Sequence, residues 1–599
     1  MKKKIFKNIL NFLPAVLSLA IAAVLIVNGA IGHRKITKLA PISSQITEEV
    51  PVEGTSSGES TDEGTTTDFT DSSEYEADTD VSDTAYSDVT STASKPNGQN
   101  ANNVASSGAY GVKTKNGMVF TVEEFGAKGD GKTDDGAAVN DAVVQAAKYT
   151  SKHDGKTAEI RFKANKTYIL KNQNFEGANC GYNIYVSNAK NLKIIGNNTT
   201  ITGSNDKGYL RLEGCTGVTV QGLNFTLNRD VACRAEVVSR NEKTVVFTVP
   251  KWYSECVSKY KLPNYAFAVP DNGGRGQTAI DTIEKINNTT VKIVFKNYTG
   301  YANAYGAMNA GTYVFLPTPG YSHEGNGFRI ANNTTVTLKD IKVWNNKQFV
   351  FNILNNTKEV KFDNVYLGTK TDNSCETVSW RDIVHAKDNR GKLTFNNCVF
   401  KGAHDDVFNL SNTMLRVDAV KKTGSGTELT VYGLDYSGAY MPFFVGDTVV
   451  GLNETTGKYY GETKVVKAVS GNKIVVKGKY DIDVGAYIYF KEYANPDTTI
   501  TGGEYSGSFR IRSSGTKITG TRFNVMFMYT SFEYSEGPIP SDILYKGCSF
   551  GPINPLYDGK TLMTFDCKPE VKNIIFDNCI FAYDKIIDRS KVGNGVIIK

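Results

Sequence analysis

The feature that most restricts the fold of this 599-residue chain is a unit that keeps returning. Phe328-Arg329-Ile330-Ala331-Asn332-Asn333 is followed by an alternating stretch, Thr335–Val343. The unit returns as Phe351-Asn352-Ile353-Leu354-Asn355-Asn356 with Val360–Leu367, and as Ile383-Val384-His385-Ala386-Lys387-Asp388 with Lys392–Phe400. It opens again at Val407-Phe408-Asn409-Leu410-Ser411-Asn412, so the start-to-start offsets are 23, 32 and 24, the long one holding an excursion over 369–380. Further copies lie near Phe509–Ser514 with Lys517–Phe523, and near Thr564–Cys567 with Val571–Phe581. Each unit is a short β run, a polar turn often marked by Asn, and a longer alternating run. A single unit cannot bury its own apolar face, so the units must stack. A period in the low twenties with almost no helical pattern predicts an all-β, right-handed parallel β-helix. The Leu-x-x-Leu-x-Leu signature of a leucine-rich solenoid is absent.

Two stretches break the period. Residues 231–320 and 413–492 hold alternating strands and Gly-rich turns, such as Thr244-Val245-Val246-Phe247-Thr248-Val249 and Lys473-Ile474-Val475-Val476-Lys477. They are expected to be two β-rich, barrel-like insertions. One amphipathic helix is expected at Ala137–Tyr149, N-capped by Asp134-Asp135 and covering the open first coil. The expected division is a membrane anchor or signal segment (1–33), a disordered acidic Ser/Thr-rich linker (34–115), N-terminal coils (116–230) and the first insertion (231–320). Central coils with the catalytic block (321–412), the second insertion (413–492) and C-terminal coils (493–599) follow.

The net charge of +6 is an average over unlike segments. Residues 1–40 carry seven Lys/Arg and no acid, whereas 41–90 carry fourteen Asp/Glu and no base. The remainder has no long basic run, which points away from nucleic acid. Asn8 to Gly32 is 25 residues without Asp, Glu, Lys or Arg, about 37 Å if helical, against a hydrocarbon core of about 30 Å. Preceded by Lys2-Lys3-Lys4, it is expected to anchor the chain with the domain outside the cell, or to be cleaved as a signal. Residues 41–108 are too polar to fold and are expected to form a self-repelling stalk. Among nine cysteines, Cys398, Cys548 and Cys579 are each flanked by an aromatic two residues on. They are expected as buried apolar groups in strands, with no disulfide framework and no zinc spacing.

The chain has five histidines, and His323, His385 and His404 fall within the repeat. Aligning the coils sets Asp382-Ile383-Val384-His385 against Asp406-Val407-Phe408-Asn409, 24 residues on. Stacked coils are about 4.8 Å apart, so Asp382 and Asp406 should be neighbours with Asp405 beside them. Neighbouring strand residues face opposite ways, so one of Asp405 and Asp406 must sit at a corner, which Gly402-Ala403 permits. Crowded carboxylates raise at least one pKa, and glycoside hydrolysis needs one protonated and one ionised carboxyl. The plainer alternative is an exposed Asp turn or a cation-stabilised ladder. His385 should share a polar ladder with Asn409; His385, Asn409, His404, Trp380 and Arg381 are candidates for sugar contact, and an ordinary structural explanation stands beside that.

Two resemblances add to this. Phe125-Gly126-Ala127-Lys128-Gly129-Asp130-Gly131-Lys132-Thr133-Asp134-Asp135 resembles the entry motif of the pectate-lyase-like β-helix superfamily, with its aspartates as turn and cap residues. The block Asp382-Ile383-Val384-His385, Asn389-Arg390-Gly391, Asn397-Cys398-Val399-Phe400 and Asp405-Asp406-Val407-Phe408-Asn409 resembles the catalytic block of family 110 of the glycoside hydrolases, inverting exo-α-1,3-galactosidases. That likeness implies Asp382, Asp405 and Asp406 as catalytic. Tyr534-Ser535-Glu536-Gly537-Pro538 resembles a later acidic motif and implies that Glu536 contacts substrate. The sequence departs from the pattern at Ile383, Ala386-Lys387 and Ser411-Asn412. The expectation is an extracellular, membrane-tethered glycosidase acting on a terminal α-linked sugar such as α-1,3-galactose. One of Asp405 and Asp406 would be the acid, Asp382 with the other would be the base, and no cofactor is called for. Two alternatives remain: a polysaccharide lyase holding Ca²⁺ on the same aspartates, and a non-catalytic glycan-binding surface solenoid.

Overall fold

A computed structural model of the chain describes residues 110–171, 181–204, 206–262, 267–270, 278–296, 304–320, 326–347, 349–368, 379–403, 405–432, 443–469, 472–530, 536–551, 561–566, 571–587 and 594–599. Among them, one sheet system of 29 strands winds along the chain. The column that matters for function is β1 (Tyr182–Ser187), β2 (Gly208–Glu213), β3 (Phe328–Ala331), β4 (Phe351–Leu354), β5 (Val384–Lys387), β6 (Asp406–Thr413) and β7 (Glu504–Ile511). Each pairs in parallel with the next. The parallel solenoid follows from this register.

Inside, like side chains stack coil upon coil. The rings of Phe328 and Phe351 are 4.9 Å apart, and those of Phe408 and Phe509 are 4.8 Å apart, matching the spacing of hydrogen-bonded strands. At the turns after β3 and β4 two asparagines divide the labour. Asn332 and Asn355 take left-handed backbone, φ 58° and 54°, a conformation Asn tolerates better than most residues. The next residue, Asn333 or Asn356, turns inward and is buried. The Asn356 Oδ1 accepts the backbone N–H of Asn333 at 2.9 Å. The Asn389 Oδ1 accepts that of Asn356 at 3.0 Å, and the Asn389 Nδ2 donates to the Asn495 Oδ1 at 3.0 Å.

The spacing had set Phe351 against Ile383, but the register pairs it with Val384. The excursion before β5 absorbs the extra residue. A one-residue slip would turn every side chain over, and this register keeps Asn352, His385 and Asn409 in one row.

The two insertions are closed six-stranded barrels. The first runs from Ala232–Asn241 to Tyr313–Pro317 and the second from Leu415–Thr423 to Tyr487–Phe490. The second is tied to the solenoid by Arg390, whose guanidinium donates to Asp447 at 3.0 and 2.7 Å and to the Tyr493 hydroxyl at 3.0 Å. Helix α1 (Gly136–Lys152) buries Val139, Ala142, Val143 and Ala146 in the solenoid core. Asp135 occupies its N-cap position without capping it. Its carboxylate instead accepts the N–H groups of Lys128 and Gly129 at 2.6 and 3.1 Å. A second helix, α2 (Lys251–Lys259), lies within the first barrel segment. At nine residues it is too short to stand out as a helical period.

Cys398 and Cys548 are buried, but they occupy the turn just before a two-residue strand rather than the strand itself. No disulfide is present among the described residues. The expected membrane-anchored location is not supported. Among the described residues no helix is long and apolar enough to cross a membrane. The longest, α1, has 17 residues, about 26 Å against the roughly 30 Å required, and its exposed face is polar. The segment 1–33 and nearly all of the linker lie outside the described residues.

Asn389 has every polar group of its side chain engaged between coils. Asn389→Ala is expected to cost about 1–3 kcal/mol for each backbone group left buried and unbonded. Urea unfolding measures this, and a loss below about 0.5 kcal/mol would show that the asparagine column does not hold the coils.

Candidate active site

Asp382 sits at the corner leading into β5 and Asp406 is the first residue of β6. The two coils are joined there by the Ile383 N–H donating to the Asp406 carbonyl at 2.9 Å, and by the Asp406 N–H donating to the Asp382 Oδ1 at 3.3 Å. Asp405 lies in the bend before the strand, after Gly402 at φ 84°. One carboxylate oxygen from each of Asp382, Asp405 and Asp406 lies within 4.8 Å of the others. Asp382 and Asp406 are buried, whereas the Asp405 side chain is 27% exposed and opens the cluster to solvent.

Two arginines compensate this charge. Arg510 Nε lies 2.9 Å from the Asp406 Oδ2, and Arg381 Nη1 lies 3.4 Å from the Asp405 Oδ2. Arg510 follows from the register: Asn352, His385, Asn409 and Arg510 are successive partners across β4 to β7. The repeat near Phe509–Ser514 carries that signal, and extending the alignment of His385 with Asn409 by one coil reaches it. Arg512, two residues on, donates from Nη1 to the Glu536 carbonyl at 2.8 Å and lies 3.6 Å from its carboxylate. Sequence reasoning missed both arginines.

His385 joins the acids. Its Nδ1 is 2.9 Å from the Asp382 Oδ2 and its Nε2 is 3.9 Å from the Glu536 Oε1, so the two carboxyls stand at opposite nitrogens of one ring. Phe349 stacks on the imidazole with centroids 4.5 Å apart. Glu536 is held against the end of β6 by antiparallel pairing of Glu536–Gly537, and the Asn409 Nδ2 donates to its Oε2 at 3.1 Å.

Burial pushes the Asp382 carboxyl up to about 7, aided by the charges of Asp405 and Asp406 and opposed by the His385 hydrogen bond. Burial alone would also raise Glu536. Lys387, His385 and Arg512 outweigh it and, with the Asn409 amide, hold Glu536 below the ordinary glutamate value. For His385, burial favours the neutral ring, but Asp382 and Glu536 prevail and raise it. The arrangement therefore sets a proton-holding carboxyl and an ionised one beside the same imidazole. Among the described residues, the three aspartates also form a group whose oxygens are close enough to share a cation, with Arg381 and Arg510 already paired to two of them.

Asp382, Asp405, Asp406, His385, Asn409, Arg381 and Glu536 are thus brought together. Trp380 is not. Its indole is 5% exposed within the core, with Nε1 3.4 Å from the Val231 carbonyl, so it offers no face to a sugar. His404 lies outside the described residues, as does His323.

No protein-family model matches the chain. It is similar to alpha-1,3-galactosidase A of Bacteroides fragilis strain YCH46, 26% identical over 223 residues, which are 34% of this chain and 36% of that protein. Alpha-1,3-galactosidase A of Streptomyces avermitilis is 23% identical over 231 residues, covering 33% and 36%. The match spans about a third of the length of these curated relatives. Among solved structures, the A-module of the Azotobacter vinelandii mannuronan C-5 epimerase AlgE4 overlaps at TM-score 0.34 and 9% identity, covering 80% of this chain and 91% of that one. The Streptococcus pneumoniae adhesin PfbA overlaps at TM-score 0.26 and 11% identity, covering 80% and 100%. The fold rests on the strand register described above. The chain is a parallel β-helix protein similar in sequence, at low identity, to α-1,3-galactosidases.

Proposed function

We propose that this chain is a glycoside hydrolase that releases a terminal α-linked galactose from a glycan. The observation that carries the reading is one pair of carboxyls whose environments drive them apart, Asp382 upward and Glu536 downward, across the imidazole of His385. Such divergence is how acid and base roles are assigned to two carboxyls in one site. The similarity to α-1,3-galactosidases over a third of the chain supplies the sugar and the linkage.

In this reading Asp382 is the general acid and gives its proton to the glycosidic oxygen as that bond breaks. Glu536 is the base and takes a proton from the water that attacks the anomeric carbon. The roles differ from the sequence expectation, which gave the proton to Asp405 or Asp406. Asp405 and Asp406, held by Arg381 and Arg510, place negative charge beside the oxocarbenium-like transition state. After turnover Glu536 holds a proton and Asp382 lacks one, and His385, facing both, can return it.

Spacing bears on stereochemistry. Inversion needs carboxyls about 6.5–9.5 Å apart and retention about 5–5.5 Å. The three aspartates are too close together to bracket a water, whereas Glu536 stands away from them beyond the imidazole. Inversion is therefore expected, and the first product seen by NMR from an α-galactoside should be the β-anomer. Retention would instead make an aspartate the nucleophile and overturn the role of Glu536.

Nitrophenyl α-galactoside and α-1,3-linked galactosyl oligosaccharides are the substrates to screen. Asp382→Asn and Glu536→Gln should each lower kcat by about 10²–10⁴-fold while circular dichroism stays unchanged. Ordinary activity in both would remove the assignment. An unsaturated product, lost on chelation, would identify a lyase instead.

The pH profile has a worked sign. Asp382 must be protonated to act, so kcat/KM should fall as pH rises through about 7, with the Asp382–His385 pair titrating as a unit. Glu536 must be ionised, so the acidic limb should lie below the 4.5 of an ordinary glutamate. A rate still rising between pH 7 and 8 would exclude Asp382 as the acid.

A further inference from the structure

A second place on the molecule has the composition of a ligand site and no part in the chemistry above. Where the solenoid strand Thr216–Leu227 ends and the first barrel begins, a cavity of about 520 Å³ opens between the segment 226–230 and α2. That volume lies within the range of small-ligand pockets, about 300–1,000 Å³, which favour the boundary between two structural units.

One face of α2 lines it: Trp252, Glu255, Cys256 and Lys259 share i, i+3, i+4, i+7 spacing and make one stripe. The helix seals the barrel with a neighbouring face, where Tyr253 is fully buried and Val257 packs on the same core. The carboxylate and the ammonium of the stripe are left to the cavity, with Glu255 also 3.9 Å from Lys251.

The opposite wall is built and held. Arg229 donates from Nη2 to the Gly320 carbonyl at 2.9 Å, and its guanidinium lies 4.5 Å from the centroid of the Tyr260 ring. The Asp230 carboxylate accepts from the Asn345 amide at 3.3 Å. The anchors fix these groups before any ligand arrives, which lowers the entropy lost on binding.

We propose that this cavity is a second saccharide-binding site, separate from the catalytic carboxyls. Sugars present apolar C–H faces and a rim of hydroxyls. Trp252 supplies amphipathic aromatic surface for such a face, while the Tyr260 ring is covered on one side by Arg229. The carboxylates of Asp230 and Glu255 accept from hydroxyls, and Arg229 and Lys259 donate to them. The charges are mixed in sign, which suits a neutral sugar better than an anionic one. The site would hold a distant part of the same glycan while its terminal residue occupies the catalytic cleft. The proposal rests on the glycosidase reading for that role, but not for binding.

The test is equilibrium dialysis of the full chain carrying Asp382→Asn, so that the probe is consumed at least about 10²-fold more slowly, against α-1,3-galactobiose. Two sites per chain are expected, and adding Glu255→Gln or Trp252→Ala should leave one. Trp252 also packs partly on the barrel core, so Glu255→Gln guards against misfolding. Sites that all survive both substitutions, whether one per chain or two, would overturn the proposal. On an α-galactosylated polysaccharide, Glu255→Gln alone should raise KM about 3–10-fold and leave kcat on nitrophenyl α-galactoside unchanged. If the chain proves not to hydrolyse galactosides while the Glu255-dependent site persists, the glycosidase reading fails and this one stands.

Discussion

The whole arrangement hangs on the hydrogen bonds of one buried column. Asn333, Asn356, Asn389 and Asn495 are each almost fully buried, and each side chain bonds the coil beside it. An amide taken out of water without partners is costly, so only one stacking of the coils satisfies all four. The register this sets is what places Asp382 over Asp406 and lines up Asn352, His385, Asn409 and Arg510. The column also crosses the second barrel: Asn389 bonds Asn495, 106 residues on. An insertion of that length is tolerated because loop closure grows only slowly with length and the asparagine restores the register on return.

That register forces acids together, and the surrounding cations make the result bearable. Buried charges persist when paired and hydrogen-bonded. Arg510 and Arg381 serve Asp406 and Asp405, while among the described residues Asp382 is bonded by the His385 imidazole and the Asp406 N–H. Burial, with the charges of Asp405 and Asp406 added to it, raises the Asp382 carboxyl. Glu536, by contrast, has Lys387, His385 and Arg512 about it. The opposite shifts of Asp382 and Glu536 thus come from burial and from where the solenoid places arginine, histidine and lysine, not from the carboxyl groups themselves.

How much of this was legible depended on local period. The stacking of Asp382 on Asp406 and of His385 on Asn409 lay within two consecutive units, and the alternation of strand faces revealed it. Arg510 lay beyond a barrel, where counting residues loses the register. Trp380 was misplaced because an aromatic beside a polar cluster gives no sign of which way it turns. Its indole N–H found the Val231 carbonyl in the core. Glu536 came only through resemblance, since a two-residue antiparallel pairing leaves no pattern in sequence. The direction in which each carboxyl shifts was not legible, because a carboxyl's proton affinity depends on burial and on charges contributed by distant segments.

The departures from the galactosidase-like pattern can now be weighed by position. Ile383 and Ala386 are wholly buried in the solenoid core. Ser411 and Asn412 are buried as well, with Asn412 donating to the Asp388 carboxylate at 3.0 Å. Three of these four sites concern how coils pack, and the fourth braces a turn. Lys387 is different. It is half-buried, stands two residues beyond His385 on the same face of β5, and is the foremost of the charges that lower Glu536. A neutral residue there would weaken the hold on the ionised carboxylate and narrow the gap between acid and base. Lys387, unlike the other four departures, therefore widens the difference in proton affinity between Asp382 and Glu536.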